Sequence, residues 1–185
     1  MDIMRLVASA LLLTACATPQ SPASMSSRFP GTDGMTHALV DPHAELTLLE
    51  FFSAHCPCQA SHDARLKQLA TRYRPLGVAF RAIDSELDAS VEKDRTEART
   101  RAYPYPILID PEGRAARTLK ADYATYTVLV DQRGKILFRG GIDSDRSHLT
   151  AAPTPYLENA IEDALAKRPL RLAEAKTLGC SLMVR

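Results

Sequence analysis

The chain has 185 residues, with 23 Lys and Arg against 22 Asp and Glu and a formal net charge of +1. This length suits one domain with a proper hydrophobic core. The balanced charge and the lack of a basic run argue against nucleic acid as a partner. Beyond the first residues, no apolar stretch reaches membrane-spanning length.

The N-terminus resembles a bacterial lipoprotein signal. An apolar run at residues 6–13 is too short to span a bilayer, and small residues follow it before Cys16. We expect residues 1–15 to be removed as a signal peptide and Cys16 to be lipidated. This predicts a cell-envelope lipoprotein that faces the periplasm and touches the membrane only through its lipid. Ala17 and Thr18 follow the cysteine, and the absence of Asp there favours the outer membrane over the inner one.

Composition divides the remaining chain into three parts. Residues 16–38 are rich in Ser, Thr and Pro, and are predicted to be the lipidated cysteine and a flexible tether. Residues 39–168 carry the apolar patterns of a folded domain. Residues 169–185 are predicted to form a C-terminal tail that carries Cys180.

Within the domain, apolar patterns predict alternating strands and helices. The early strand–helix–strand order gives parallel strands, and the turn at residues 132–134 indicates a late antiparallel hairpin. The predicted fold class is therefore α/β, with a mixed central sheet and helices on both faces. The predicted strands are 45–53, 78–84, 107–110, 127–131 and 135–139, and the predicted helices are 59–74, 90–101, 114–119 and 155–166.

Cys56, Pro57 and Cys58 lie where the first predicted strand meets the first predicted helix, with His55 and His62 close by. The partial positive charge of a helix N-terminus favours a thiolate over a thiol. A lowered pKa makes a thiol both a nucleophile and a metal ligand at neutral pH. The turn can therefore exchange disulfides or hold a soft metal.

Five stretches carry a resemblance to a known family. Residues 49–56 resemble the approach of thioredoxin-fold proteins to their active cysteine: Leu49-Glu50-Phe51-Phe52-Ser53-Ala54-His55-Cys56. Residues 106–113 and 127–136 look like the redoxin branch, which contains thioredoxin-like and peroxiredoxin-like proteins. Residues 138–143 and 178–182 also resemble a subset of bacterial redoxin-domain proteins. The resemblance covers about residues 40–185 and implies a thioredoxin-like fold.

Two features depart from the thioredoxin pattern. Only Pro57 separates the two cysteines, whereas thioredoxins have two residues there. The family's cis-proline, at which a partner chain docks, is matched here by Tyr126, between Thr125 and Thr127. A cis bond before a non-proline residue costs about 3 kcal/mol, so we expect a trans bond or an altered loop. The resemblance implies substrate docking at Tyr126, Thr125 and Pro57.

The resemblance also implies roles for four side chains in a membrane-anchored, extracytoplasmic thiol–disulfide oxidoreductase. Cys56 would attack, and either Cys58 or Cys180 would resolve the mixed disulfide. A Cys-x-Cys ring is strained, so Cys180 is the less strained partner if the tail folds back. Glu50 aligns with a buried acid whose raised pKa lets it pass protons to and from the thiols. The implied partners are exported thiol or disulfide proteins or small thiols, and no cofactor is required.

Metal binding and delivery is the alternative function for the same turn. Cys56, Cys58, His55 and His62 offer two soft sulfurs and two imidazoles. Cu(I) or Zn(II) would suit these ligands, and the resemblance extends to Sco-type copper chaperones, which hold copper near this turn. His148 is a further candidate ligand.

Two more functions stay open. Ser53 stands three residues before Cys56, like the hydroxyl residue of peroxiredoxins, although Leu49 replaces their proline. A thiol peroxidase also needs a positioned arginine, for which the candidates are Arg114, Arg133 and Arg139. The departures from the thioredoxin pattern also allow a lipid-anchored interaction module without turnover, although retention of both turn cysteines argues against it.

Overall fold

The computed structural model describes residues 24–145 and 152–184, so the predicted signal peptide, Cys16 and His148 lie outside the described residues. None of the helices in these two ranges combines the length and apolar character needed to cross a membrane. The strands are β1 (Arg28–Pro30), β2 (Thr36–Ala38), β3 (Leu46–Phe52), β4 (Val78–Asp84), β5 (Ile107–Ile109), β6 (Thr127–Asp131) and β7 (Ile136–Gly140). The helices are α1 (Pro57–Tyr73), followed by a 3-10 turn (Arg74–Leu76), α2 (Val91–Thr100), α3 (Arg114–Leu119) and α4 (Tyr156–Leu165).

The central sheet has five strands in the order β5-β4-β3-β6-β7. β3, β4 and β5 pair in parallel, whereas β6 and β7 are antiparallel to their neighbours. Helices α1 and α4 pack on one face of this sheet, and α3 packs on the other. The predicted α/β fold with a mixed sheet and helices on both faces is confirmed.

The central strand β3 explains the apolar run that precedes the cysteines. All of its residues are buried, with Leu48 and Phe52 on the side of α1 and Leu49 and Phe51 on the side of α3. A strand covered on both faces needs apolar residues at successive positions. Glu50 is the one charged residue in this strand, and it is buried with its neighbours.

The N-terminal segment corrects the prediction of a tether that extends to residue 38. β1 and β2 form an antiparallel hairpin, and Phe29 between them is completely buried. Gly31 forms a bridge with Leu108, and the hydroxyl of Thr32 accepts a hydrogen bond from the Ile107 amide at 3.1 Å. The hairpin thus covers part of the β5 edge, where unpaired backbone groups otherwise stay exposed.

Helix α1 begins two residues earlier than predicted, at Pro57. Proline suits the first helical position because the amide it lacks has no partner within the helix. Cys56 is consequently the N-cap residue, and Cys58 lies in the first turn. Both turn cysteines are therefore placed where the helix dipole favours negative charge.

The C-terminal tail returns to the cysteines along the end of the sheet. It first meets β7, where the Ala175 amide donates to the Arg139 carbonyl at 3.0 Å. It then meets the segment before β6, where the Ala124 amide donates to the Cys180 carbonyl at 2.8 Å. These backbone contacts hold Cys180 beside Cys56.

Candidate active site

The structure brings Cys56, Cys58 and Cys180 together. Their three Sγ atoms all lie within 4.8 Å of one another, and Cys56 Sγ is 2.9 Å from Cys180 Sγ. All three are free thiols. A disulfide bond is about 2.05 Å long, so the Cys56 and Cys180 sulfurs need only a small approach to form one.

The environment of Cys56 favours its thiolate. Burial alone raises the pKa of a thiol, but hydrogen bonding with Cys180 and with the backbone amides of Gln59 and Cys58 outweighs it. The net effect lowers the pKa of Cys56 below its ordinary value. A thiolate is the reactive form of cysteine, so Cys56 has the character of a nucleophile.

Cys180 has the opposite character. Its hydrogen bond to Cys56 raises the pKa of Cys180 to about 11, with burial and the negative charge on Cys56 acting in the same direction. Cys180 therefore stays protonated at neutral pH, whereas the lowered pKa of Cys56 favours its thiolate. The pair consists of one activated sulfur and one proton-bearing sulfur in contact.

Glu50 lies in the core beneath α1. Its burial raises the pKa of the carboxyl to about 8, against the opposing effect of the nearby Gln59 side chain. Neither carboxyl oxygen of Glu50 has a hydrogen-bond partner among the described residues. We therefore attribute the raised pKa to desolvation, which disfavours the charged form. Glu50 carries a proton at neutral pH.

His62 is buried and is not a ligand beside the sulfurs, which corrects its predicted role. Its Nδ1 lies 2.7 Å from the Cys58 carbonyl oxygen, and its Nε2 lies 2.9 Å from the Asp145 carbonyl oxygen. Carbonyl oxygens only accept, so both ring nitrogens must carry protons and no lone pair is left for a metal. Burial lowers the pKa of His62, but Asp143 and these carbonyls outweigh it and raise the pKa overall.

His55 also lies apart from the sulfurs. Its side chain is exposed, and its Nε2 is 3.5 Å from Asp88 Oδ2. The residues that could share an ion with it are Glu86 and Asp88, not the cysteines. The predicted ligand set of two sulfurs and two imidazoles is therefore not assembled, and the third member of the sulfur cluster is Cys180 from the tail.

The predicted docking residues lie around the cysteines in an altered loop. No cis peptide bond occurs in residues 24–145 and 152–184, so the bond before Tyr126 is trans. Thr125 instead has a φ of +64°, which is a rare conformation for a β-branched residue. Its amide donates to the Phe51 carbonyl, and the Phe51 amide donates to the Tyr126 carbonyl, each at 2.8 Å. Pro57 is exposed at the start of α1.

Two of the residues predicted for a peroxide site make other contacts. The Ser53 hydroxyl donates to Glu86 Oε2 at 2.9 Å, so its proton is already engaged by that carboxylate. The Arg114 guanidinium lies over the Phe29 ring at 5.2 Å. Arg139 lies in β7, and Arg133 lies in the turn before it.

The ionic contacts that fix α1 over the site were not predicted from the sequence. Arg65 pairs with Asp143 and, at 3.3 Å, with Asp145, and these two acids also flank His62. Nearer Glu50, Arg101 Nη1 lies 2.8 Å from Asp63 Oδ2. The helical pattern could mark the α1 members as inward-facing, but their partners lie in the loop after β7 and just after the end of α2, which no local pattern connects to α1.

Comparison with solved structures agrees with this architecture. A hypothetical protein from Sinorhizobium meliloti 1021 superposes with a TM-score of 0.78 at 20% identity, covering 91% of this chain and 97% of that chain. Peroxidoxin BcpB from Mycobacterium tuberculosis gives a TM-score of 0.55 at 17% identity, covering 80% and 96%. A secreted M. tuberculosis disulfide oxidoreductase, described as homologous to E. coli DsbE, gives 0.56 at 14% identity, covering 75% and 96%.

These likenesses confirm the thioredoxin-like fold. No sequence match to a curated protein was found. The Redoxin family, however, matches residues 17–152, which include β3, the Cys56 turn and the β6–β7 hairpin. The chain belongs to the Redoxin family.

Proposed function

We propose that this protein is a membrane-anchored, extracytoplasmic thiol–disulfide oxidoreductase in which Cys56 attacks and Cys180 resolves. The observation that carries the proposal is the distance of 2.9 Å between the Cys56 and Cys180 sulfurs, at the N-terminus of α1. The lowered pKa of Cys56 and the raised pKa of Cys180 support these separate roles.

The chemistry balances in two exchanges. The Cys56 thiolate attacks one sulfur of a partner's disulfide, a Cys56–partner bond forms, and the partner's other sulfur leaves as a thiolate. Cys180 then loses its proton and attacks Cys56 Sγ, which forms the Cys56–Cys180 disulfide and releases the partner's second sulfur. An exported dithiol returns the pair to its reduced state, and the partner's reduction potential decides the direction.

Glu50 is the proposed proton carrier for these steps. Its pKa of about 8 lies close to neutral pH, where a carboxyl group can both give and take a proton. Glu50 lies in β3, the strand that leads into the cysteine turn. It is buried beneath α1, whose N-cap residue is Cys56.

Anchoring is proposed from the lipoprotein-like N-terminus. Cys16 would carry the lipid and place the domain on the periplasmic side of the envelope, with the outer membrane favoured. β1 begins at Arg28, so few residues of sequence separate Cys16 from the first described strand.

Turnover with a small disulfide tests the enzymatic proposal. The mature chain with Cys16→Ser should reduce glutathione disulfide in the presence of a dithiol, and Cys56→Ser should lower the rate at least about a hundredfold. Cys180→Ser should retain the first exchange and accumulate the mixed disulfide, whereas Cys58→Ser should complete the cycle. Turnover no faster than that of Cys56→Ser would remove the enzymatic role.

Copper binding is the second candidate function, and the three-sulfur cluster favours it. Three thiolates from Cys56, Cys58 and Cys180 suit Cu(I), a soft ion, better than Zn(II), which usually takes four protein ligands in structural sites. Titration of the reduced chain with Cu(I) would then protect all three thiols from alkylation until a chelator is added. Alkylation unaffected by Cu(I) would remove this candidate.

A further inference from the structure

The tail lies against the chain segment that directly precedes Thr125 and Tyr126. Tyr123 and Ser181 form an antiparallel bridge, and hydrogen bonds flank it on both sides. The Ala124 amide donates to the Cys180 carbonyl at 2.8 Å, and the Leu182 amide donates to the Asp122 carbonyl at 2.9 Å. This is the pattern by which a protein sheet edge binds an extended peptide. We call residues 122–124 the docking edge.

Gly179, before the tail cysteine, has a steric reason to be glycine. A Cβ atom added there would overlap the carbonyl oxygen of Ala124 and approach Thr125 Oγ1 to 3.1 Å. The carbonyl belongs to the backbone of the docking edge, so it cannot move aside as a flexible side chain could. The path of the tail over this edge therefore requires glycine one residue before the cysteine.

The position of Leu182, two residues after the tail cysteine, requires an apolar side chain. Its side chain is buried in the same cluster as Cys56, Cys58 and Ala124. Ser181, between Cys180 and Leu182, is exposed, as expected for alternate residues of an extended strand. The docking edge thus receives glycine, cysteine and an apolar residue in the pattern Gly-Cys-x-Leu.

We propose that the tail occupies the partner's place at the docking edge, and that the partner is an extended cysteine-bearing segment with the same pattern. The proposal rests on the exchange function above and adds its specificity. When the tail leaves, the partner segment pairs with residues 122–124 and its cysteine sulfur reaches Cys56. When the tail returns, Cys180 takes the Cys56 sulfur and the partner segment is released as a thiol.

Peptides copied from the tail test this specificity. The probe is the peptide of residues 177–184 with its cysteine held as a mixed disulfide to 5-thio-2-nitrobenzoate. Cys56 attacks the peptide sulfur, a Cys56–peptide disulfide forms, and the aromatic thiolate leaves and is measured by its absorbance. Each of three matched probes carries one alanine. It replaces the residue that corresponds to Gly179, to Leu182 or, in the control, to Ser181.

On the mature chain with Cys16→Ser, the glycine and leucine replacements should each slow formation of the peptide adduct about tenfold or more. The serine replacement should react like the original, because that side chain faces solvent. Equal rates for all four peptides would overturn the proposal. If a small aromatic disulfide also fails to react with Cys56, the exchange function itself has failed, which is a separate result.

A change in the tail tests the occupied state. Gly179→Ala should displace the tail, so Cys56 should react with the original peptide about tenfold faster than in the unchanged chain. Ser181→Ala is the matched control and should leave the rate unchanged. An unchanged rate in a folded Gly179→Ala chain would show that the tail does not compete with the peptide. If this variant does not fold, the peptide series on the unchanged tail still decides the proposal.

Discussion

Cys56 and Cys180 are two cysteines in contact, yet their thiol pKa values are shifted in opposite directions. Cys56 caps a helix whose first amides favour a negative charge, while Cys180 comes from a tail without regular structure. Their hydrogen bond stabilises the thiolate of one and the thiol of the other. The proposed division into attacking and resolving thiol thus follows from the positions of the two residues.

The pH dependence of alkylation tests this difference. The rate at which iodoacetamide modifies Cys56 should rise with pH through a midpoint below the ordinary thiol pKa of about 8.5. Cys180→Ala should move the midpoint upward, because the thiolate loses its hydrogen-bond donor. Ser181→Ala, a neighbouring change in the tail, should leave it in place. A midpoint that Cys180→Ala leaves unchanged or lowers would contradict the assigned roles.

Glu50 should make stability depend on pH. Its pKa is about 8 in the fold against an ordinary 4.5, so the folded state holds a proton that the unfolded chain releases between these values. Its contribution is fully present below pH 4.5 and is lost as pH rises towards 8. Glu50→Gln should therefore become increasingly more stable than the parent over this range, by about 3 kcal/mol at pH 7.

Denaturant unfolding from pH 4.5 to 8 measures this difference. Glu45→Gln is the matched control, because Glu45 is an exposed carboxylate just before the same strand. Its free energy of unfolding should run parallel to that of the parent at every pH. A Glu50→Gln curve that is also parallel to the parent would mean that Glu50 is not held protonated by the fold.

Among the elements, those with a continuous pattern could be predicted and those set by distant contacts could not. β3 is apolar on both faces, and the change from strand to helix at the cysteines is visible within a short window. The position of Cys180 depends on backbone hydrogen bonds to residues 122–124, far away in the sequence. The contacts of His62 could not be predicted for the same reason, because its second carbonyl partner belongs to Asp145, which is also far away in the sequence.

The hairpin of β1 and β2 was missed for a different reason. Its strands have three residues each, and its polar composition resembles that of a linker. Phe29 is the large apolar side chain that fixes it, and one such residue is too weak a signal to outweigh composition. Thr125 likewise gives no local warning, because a positive φ is rare for threonine and is imposed here by the hydrogen bonds on either side of it.

Replacement of Phe29 tests whether the hairpin belongs to the fold. Phe29→Ala should lower the free energy of unfolding by about 3 kcal/mol or more, because it removes a fully buried ring and leaves a cavity. Met35→Ala, in the exposed loop of the same hairpin, should change it by less than about 0.5 kcal/mol. If both replacements change the free energy of unfolding by equally small amounts, residues 28–38 behave as the predicted tether and not as part of the fold.

At the scale of the whole molecule, the tail contacts several of the elements that surround the cysteines. It pairs with β7 through Arg139, passes the docking edge, and ends near the loop after β4, where the Leu87 amide donates to the Met183 carbonyl at 3.0 Å. The third sulfur of the cluster is thus supplied by a segment that can leave without breaking the central sheet. The proposed copper site needs this segment in place, whereas the proposed exchange needs it to leave for the partner and to return so that Cys180 can resolve the mixed disulfide.

The proposed lipid anchor is tested by fractionation of cells that express the full chain. The unchanged protein should sediment with the membrane fraction and, on separation, with the outer membrane. Cys16→Ser should move it to the soluble periplasmic fraction, because one thiol carries the lipid. Cys58→Ser is the matched control and should stay with the membrane. Soluble protein in both forms would contradict the proposed anchor.

The most direct test of the account is the mass of the mature chain with Cys16→Ser, purified without reductant and measured again after reduction, with the disulfide located by fragmentation. We predict a species lighter by two hydrogen atoms that regains them on reduction, with the bond between Cys56 and Cys180. A bond between Cys56 and Cys58, or three thiols that stay free under oxidising conditions, would contradict the assigned pair. A species heavier by one copper ion, with all three thiols protected, would replace thiol exchange with metal binding as the function of the cluster.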